Sequence, residues 1–110
     1  MSTYVVAHLR DVIMGPDIVA YLERIDATLA PFGGRFLVHG DHDGHVELLE
    51  GNWLGDLIII EFPDREQARG WYTAPAYQAI LPLRANNSEG DVILIDTVAE
   101  NHHATDILAR

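Results

Sequence analysis

Three ionisable side chains lie where they could move or stabilise charge on a small molecule. Glu61 interrupts an apolar strand pattern, where a carboxylate must be paired or must face a cavity. Arg84 follows Tyr77 on one flank of a predicted helix, and its guanidinium can pair with Glu61 or hold a ligand's carboxylate. His8 lies in the first predicted strand, and histidine suits acid–base chemistry near neutral pH. We therefore predict Glu61, His8 and Arg84 as catalytic residues.

Four further side chains are predicted to bind the substrate, because they place rings beside that charged set. They are His39, Trp71, Tyr72 and Tyr77. The resulting hypothesis is an enzyme with an apolar pocket between sheet and helices, using cofactor-independent proton transfer. The alternative is a non-catalytic ligand-binding or structural dimer module. In that case Glu61 and Arg84 form a structural ion pair and the aromatic rings belong to the core.

A histidine-rich loop provides a third hypothesis. His39, His42 and His45 are spaced three residues apart, with Asp41 and Asp43 between them. Imidazoles and carboxylates are good zinc or nickel ligands. Three-residue spacing gathers side chains on one face only in a helix, and this segment is glycine-bounded. A solvated loop is the favoured interpretation, and we assign no metal ligand.

Composition excludes several classes of function. The chain has 110 residues, 48% of them hydrophobic, which fits one domain with its own core. It contains no cysteine, and all seven of its basic residues are arginines, so thiolate and Schiff-base chemistry are absent. A net charge of −10 disfavours nucleic acid and anionic membranes as partners. Nothing in the sequence requires a cofactor. The N-terminus lacks a signal-peptide pattern, so we expect a soluble cytoplasmic protein.

The pattern of elements predicts an α+β protein with a ferredoxin-like βαββαβ sandwich. Its antiparallel four-stranded sheet carries two helices on one face. The predicted elements are strand 4–10, a helix from Pro16 to about Phe32, strand 35–39, strand 57–62, a helix 64–85 interrupted at Pro75, and strand 92–98. Residues 46–50 could pair back as a hairpin arm. We expect a domain over residues 1–98 and a tail over residues 99–110.

Two central strands are apolar on both faces. Residues 57–60 and 92–95 are uninterrupted apolar runs, and successive strand residues point to opposite faces. Two helices cover only one face, so the other face needs a partner, and we predict a homodimer through the sheet faces. The alternative is that the C-terminal tail folds over the open face. Trp53, in a glycine-bounded turn, is predicted at the dimer or pocket rim.

Four segments together resemble the family called domain of unknown function 1330. They are residues 33–38, 49–53, 59–64 and 71–78, in that order. The resemblance spans about residues 4–98 and implies a dimeric α/β barrel of ferredoxin-like subunits. The wider superfamily includes cofactor-free monooxygenases, haem enzymes, isomerases and non-enzymatic binding modules, so the resemblance implies cofactor-independent oxygenase-like chemistry as a further expectation. Where members usually carry an arginine, this chain has His39, so the role of that arginine is not carried over.

Overall fold

The computed structural model describes residues 2–41, 44 and 46–109. Within these residues, the elements follow the order strand, helix, two strands, two helices and strand, and a short 3₁₀ helix follows the first α-helix. Their bounds are β1 Thr3–Arg10, α1 Pro16–Leu29, β2 Arg35–His39, β3 Asp56–Phe62, α2 Arg65–Thr73, α3 Pro75–Ala85 and β4 Glu89–Asp96.

The strands form one antiparallel sheet in the order β2-β3-β1-β4. Val5 of β1 lies opposite Ile60 of β3 and Leu94 of β4. Because β3 lies between β1 and β2, and β1 between β3 and β4, both helical connections cross over a strand. This is the split βαβ arrangement, and it confirms the predicted α+β ferredoxin-like fold.

The two faces of this sheet have different surroundings. The inner face carries Val5, Ile60 and Phe62, which pack into the core against the helices and are 3% exposed or less. The outer face carries the alternate residues. There, Ile93 and Ile95 remain 51% and 49% exposed.

Helix α1 begins at a proline, whose fixed φ angle suits a first helical turn. Its buried residues, Ile18, Tyr21, Ile25 and Leu29, recur every three or four positions and so form one face towards the sheet. Gly34 follows the helix. A side chain there would come within 2.7 Å of the Phe62 ring, so glycine allows the chain to pass close to β3.

The second predicted helix is two helices. Ala74 is extended, with ψ at 142°, as expected for a residue before proline. Asp64 caps α2 by accepting a hydrogen bond of 2.8 Å from the Gln67 backbone N–H. The break at residue 74 lets α3 run independently and pack against α1.

Among the described residues, the structure has neither the hairpin arm that the sequence allowed nor the alternative in which the tail covers the open face. Residues 46–50 form no strand, although β2 is an edge strand of the sheet, and Val46 and Leu48 are 52% and 56% exposed. The tail does not cover the outer face. Its 3₁₀ helix, Ala104–Ala109, is exposed throughout. The division at residue 98 stays a prediction.

Candidate ligand-binding cavity

A cavity of about 320 Å³ lies between the inner face of the sheet and helices α1 and α3. Most of its wall is aliphatic, because the inner-face strand residues and the buried face of α1 point into it. These wall residues include Val5, Ile58, Ile60, Val92, Ile18 and Ile25. Such a space is at the small end of ligand-binding pockets.

One end of the cavity is polar. The hydroxyl oxygens of Tyr21 and Tyr77 lie 2.8 Å apart, a hydrogen bond between α1 and α3. Arg84 extends from two helical turns further along α3, and its Nη2 lies 3.5 Å from the Tyr77 oxygen. Its guanidinium carbon is 6.0 Å from the centre of the Tyr21 ring. The three side chains therefore form one chain of polar contacts, which we call the Arg–Tyr–Tyr end.

Burial and mutual contact set the protonation of this end. Burial raises the pKa of Tyr21 above its usual range, and contact with Tyr77 raises it further, against the opposing effect of Arg84. Burial by itself lowers the pKa of Arg84, but the oxygens of Tyr77 and Tyr21 outweigh this and raise the pKa overall. At neutral pH, Tyr21 is a neutral hydroxyl and Arg84 is a cation.

Trp71 forms the aromatic wall beside this end. Its indole N–H donates to the Thr28 hydroxyl at 3.0 Å, and that hydroxyl donates to the Ile25 carbonyl at 2.6 Å. The Trp71 ring centre lies 4.1 Å from that of Tyr77. Because these contacts are buried, the orientation of the indole is fixed.

His39 and two acidic residues line the cavity where β2 ends and β3 begins. The His39 ring stacks on Phe36, with centres 4.4 Å apart and planes within 15°. Asp41 and Asp56 contribute carboxylates to the same part of the lining. The Asp41 carboxylate also accepts a hydrogen bond from the Val46 backbone N–H at 3.2 Å.

The structure brings together four of the seven predicted site residues. His39, Trp71, Tyr77 and Arg84 line the cavity, whereas Tyr72 packs behind it, with its ring centre 5.5 Å from that of Tyr77. Their roles stay predictions.

The expectation that Glu61 shares the cavity with Arg84 is wrong. Glu61 follows Ile60, and Ile60 faces the cavity, so the carboxylate points to the outer face. There it forms an ion pair of 2.8 Å with Arg35, its neighbour on β2. Glu61 therefore satisfies its charge through Arg35, and the predicted Glu61–Arg84 pair does not form.

His8 also lies on the outer face, away from the cavity. Its ring stacks on Trp53 with centres 4.7 Å apart. Its Nε2 lies 2.6 Å from the carbonyl oxygen of Leu54, which can only accept, so Nε2 donates. Nδ1 then accepts from Arg10 at 3.3 Å. These contacts hold the turn at residues 53–54 against β1, and Trp53 does not line the cavity.

Sequence reasoning missed Tyr21 as a site residue. The signal was present, because Tyr21 falls three residues after Ile18 and four before Ile25, on the buried face of α1. Asp56 was not predicted as a site residue either, because an aspartate just before a strand is typical of a turn.

The metal hypothesis rests partly on residues outside those described. His42 and His45 are in that group. Within the described part of the chain, no group of three histidine, aspartate or glutamate side chains is arranged to hold a metal ion.

Fold and cavity together define a ferredoxin-like α+β protein with an internal cavity between its sheet and helices. The chain belongs to the family described as domain of unknown function DUF1330, whose model matches residues 2–98. This confirms the resemblance found in the sequence. Among curated proteins, none matches this chain by sequence.

Solved structures share the fold at low sequence identity. A protein of unknown function from Rhodopseudomonas palustris has a TM-score of 0.63 and 14% identity, over 89% of this chain and 83% of its own. A dimeric ferredoxin-like protein of unknown function from Thermobifida fusca has a TM-score of 0.61 and 15% identity, over 88% and 92%. SnoaB from Streptomyces nogalater, described as a cofactor-independent oxygenase, has a TM-score of 0.59 and 16% identity, over 93% and 98%. At these identities the likeness shows the fold alone.

None of the helices within the described residues is long and apolar enough to cross a lipid bilayer.

Proposed function

We propose that this protein is a homodimeric enzyme that holds a compact organic molecule in the cavity of each subunit and acts on it without a bound cofactor. The observation that carries the proposal is the cavity itself. An apolar wall bordering a partly open space of about 320 Å³ converges on three polar side chains, Tyr21, Tyr77 and Arg84. Ligand sites in proteins have this composition, with few polar groups that fix orientation within an apolar surface. The cytoplasmic location expected from the sequence is part of this proposal.

The proposed chemistry is proton transfer or oxygenase-like. His39 is the candidate to accept a proton, since it lines the cavity with its ring fixed on Phe36. Arg84 would stabilise the negative charge left on the ligand. The likeness to SnoaB supports this class of chemistry by fold analogy.

The homodimer rests on the outer face of the sheet. Ile93 and Ile95 are about half exposed there, and the alternating residues of β1 and β3, including Val6 and Ile59, extend the apolar surface. A second copy would bury this surface, at about 25 cal/mol for each Å² of apolar area removed from water. Similar structures described as dimeric ferredoxin-like proteins support the same arrangement.

A non-catalytic binding module is the second candidate. It is favoured by the placement of Glu61 and His8, the two predicted proton-transfer groups, on the outer face. Under this alternative, the cavity holds a ligand and releases it unchanged.

A ligand screen with a cavity-filling variant tests the proposal. We expect small aromatic or alicyclic compounds to raise the melting temperature of the full chain in a thermal-shift assay. Val92→Phe places a ring into the cavity wall and should abolish those shifts. Val19→Phe makes the same change at an exposed position on α1 and should leave them intact.

Two results would count against the proposal. One is a screen in which nothing stabilises the wild-type protein, and the other is a compound that stabilises Val92→Phe as much as wild type. Compounds that bind should then be incubated with the protein in air, with product formation and oxygen consumption followed. Tight binding without turnover across these compounds would favour the non-catalytic module.

A further inference from the structure

We infer that the Arg–Tyr–Tyr end recognises an anionic oxygen, so that the cavity takes a weak organic acid in its deprotonated form. The inference rests on the proposed function and names the class of ligand that the cavity selects. The shared chemistry is one negatively charged oxygen on a compact apolar body, as in a carboxylate or a phenolate.

The first argument for an anionic ligand is that Arg84 has no ion-pair partner among the described residues, whereas three surface arginines do. On the surface, Arg10 pairs with Asp91 at 3.8 Å, Arg35 with Glu61 at 2.8 Å and Arg65 with Asp96 at 3.4 Å. Arg84 is half-buried at the cavity, yet no carboxylate of the described residues lies within ion-pairing distance of it. A partly desolvated cation without a counter-charge is costly, and a ligand's anionic oxygen would supply that counter-charge.

The hydrogen-bonding inventory is the second step. A guanidinium has five N–H donors and no acceptor; among the described residues, the Tyr77 oxygen takes one of them at 3.5 Å and the Tyr21 oxygen also interacts with the guanidinium. The two tyrosine hydroxyls carry two protons, of which one is used in the 2.8 Å bond between them. The remaining hydroxyl proton and the remaining Arg84 N–H groups are donors. This end therefore complements a ligand atom that only accepts hydrogen bonds.

The surroundings are the third step. Apart from His39, Asp41 and Asp56 where β2 ends and β3 begins, the rest of the lining is aliphatic, aromatic or glycine, and the Trp71 and Tyr77 rings are tilted by 40° with centres 4.1 Å apart. The Asp41 and Asp56 carboxylates disfavour an anion at their part of the cavity, so an anionic oxygen would lie at Arg84. The chain's charge of −10 repels anions at long range, so selection for the anion must come from the local contacts of Arg84. One guanidinium balances one charge, which favours a monoanion.

Isosteric ligand pairs test the charge selection. Calorimetric titration of the full chain with naphthoate and with naphthamide compares an anionic and a neutral head on one apolar body. We expect naphthoate to bind at least about tenfold more tightly, as a charged hydrogen bond in a desolvated site predicts. Para-nitrophenol provides the phenolate arm, because only its deprotonated form absorbs visible light. Binding should increase that absorbance at a pH below the ligand's own pKa.

Variants assign the effect to the Arg–Tyr–Tyr end. Arg84→Gln should remove the preference for naphthoate, and Arg84→Lys should keep part of it, because the charge stays but the fork of donors is lost. Tyr21→Phe removes one hydroxyl and keeps the ring. It should weaken the binding of anionic ligands and leave the binding of neutral ligands unchanged. Arg24→Gln removes the same charge from an exposed position on α1 and should change nothing. If Arg84→Gln does not fold, as judged by circular dichroism, Arg84→Lys and Tyr21→Phe decide the question.

The outcomes separate this inference from the proposed function. Equal binding of naphthamide and naphthoate together with no spectral change of para-nitrophenol, or an undiminished preference in Arg84→Gln, would overturn the anion selection while leaving a ligand-binding cavity. A preference for naphthoate with no spectral change of para-nitrophenol would restrict the class to carboxylates, and the reverse would restrict it to phenolates. If no compound of any charge binds the wild-type chain, both proposals fall.

Discussion

The inner and outer faces of the sheet are built from the same strands but differ in how far they are buried. On the inner face, Ile60 and Phe62 are 3% and 0% exposed, enclosed by helices of the same chain. On the outer face, Ile93 and Ile95 are each about half exposed. Both faces carry apolar residues of the central strands, yet only the inner face has a cover within the described residues. The inner face is therefore a finished core with a cavity in it, and the outer face is a surface suited to a second copy.

The difference also divides the charged residues by role. Arg84 reaches the cavity from α3 and has no carboxylate beside it in the described part of the structure, whereas Glu61 lies on the outer face and is neutralised by Arg35. Successive residues of a strand point to opposite faces, so a shift of one position moves a side chain from the cavity to the outer face. We therefore propose that the inner face binds the ligand and acts on it, and that the outer face forms the homodimer interface.

The two tryptophans provide the largest contrast. Trp71 is 2% exposed and donates a buried hydrogen bond, whereas Trp53 is 43% exposed and stacks on His8. We expect Trp71→Ala to lower the free energy of unfolding by about 3–5 kcal/mol, because it leaves a large void and removes the indole N–H that donates to the buried Thr28 hydroxyl. Trp53→Ala should cost much less. Urea unfolding followed by circular dichroism measures both, and equal losses would contradict the assignment of Trp71 to the core.

A charge on the outer face should break the proposed dimer. We expect wild type to scatter light as a particle of twice 12.2 kDa, and Ile93→Asp to scatter as a single chain that keeps its secondary structure. The reason is that burying an unpaired carboxylate between two apolar sheets is unfavourable. Val19→Asp, at an exposed position of α1, is the control and should stay dimeric. A wild-type protein that is monomeric at all concentrations would refute the proposed interface.

Much of the fold could be predicted because the decisive signals are local. Pro16 and the spacing of Ile18, Ile25 and Leu29 mark α1, and Pro75 marks the division between α2 and α3. The spacing of Tyr77 and Arg84 also predicted correctly that both lie on one flank of a helix, where they now touch.

The sequence could not show which residues of each strand face the helices and which face outward. Because residues 57–60 are all apolar, their sequence does not reveal which of them face the helices, and the side on which Glu61 falls stays open. A register shift in β2 between Phe36 and Val38 has a similar effect. It puts Phe36 and His39, three residues apart, on the same face, so that their rings stack. Pairing with β3 decides this, and the local sequence does not.

A buried hydroxyl on β1 should make stability depend on pH. The Thr3 hydroxyl donates to Asp96 at 2.7 Å and, together with Arg65, lowers the pKa of that carboxyl below its usual 3.8. A depressed folded-state pKa stabilises the protein above the unfolded-state value, and the stabilisation is lost as the pH falls through the folded-state value. Thr3→Val should therefore reduce stability most at neutral pH, with the pH-dependent part vanishing in acid. Urea titrations at several pH values measure it. In an Asp96→Asn background, the same substitution should show no pH-dependent difference.

The smallest change in stability is expected for a substitution of Glu61, which the sequence analysis predicted as a catalytic residue. Its partner Arg35 has a side chain that is 69% exposed, and ion pairs at such positions contribute only about 0–1 kcal/mol. Glu61→Gln should therefore change stability within that range and leave ligand binding in the cavity unaltered, whereas Arg84→Gln should alter binding. Thermal shift with a ligand found in the screen compares the two variants directly. A loss of binding in Glu61→Gln would mean that the two faces communicate, because no contact of the Glu61 carboxylate reaches the cavity within the described residues.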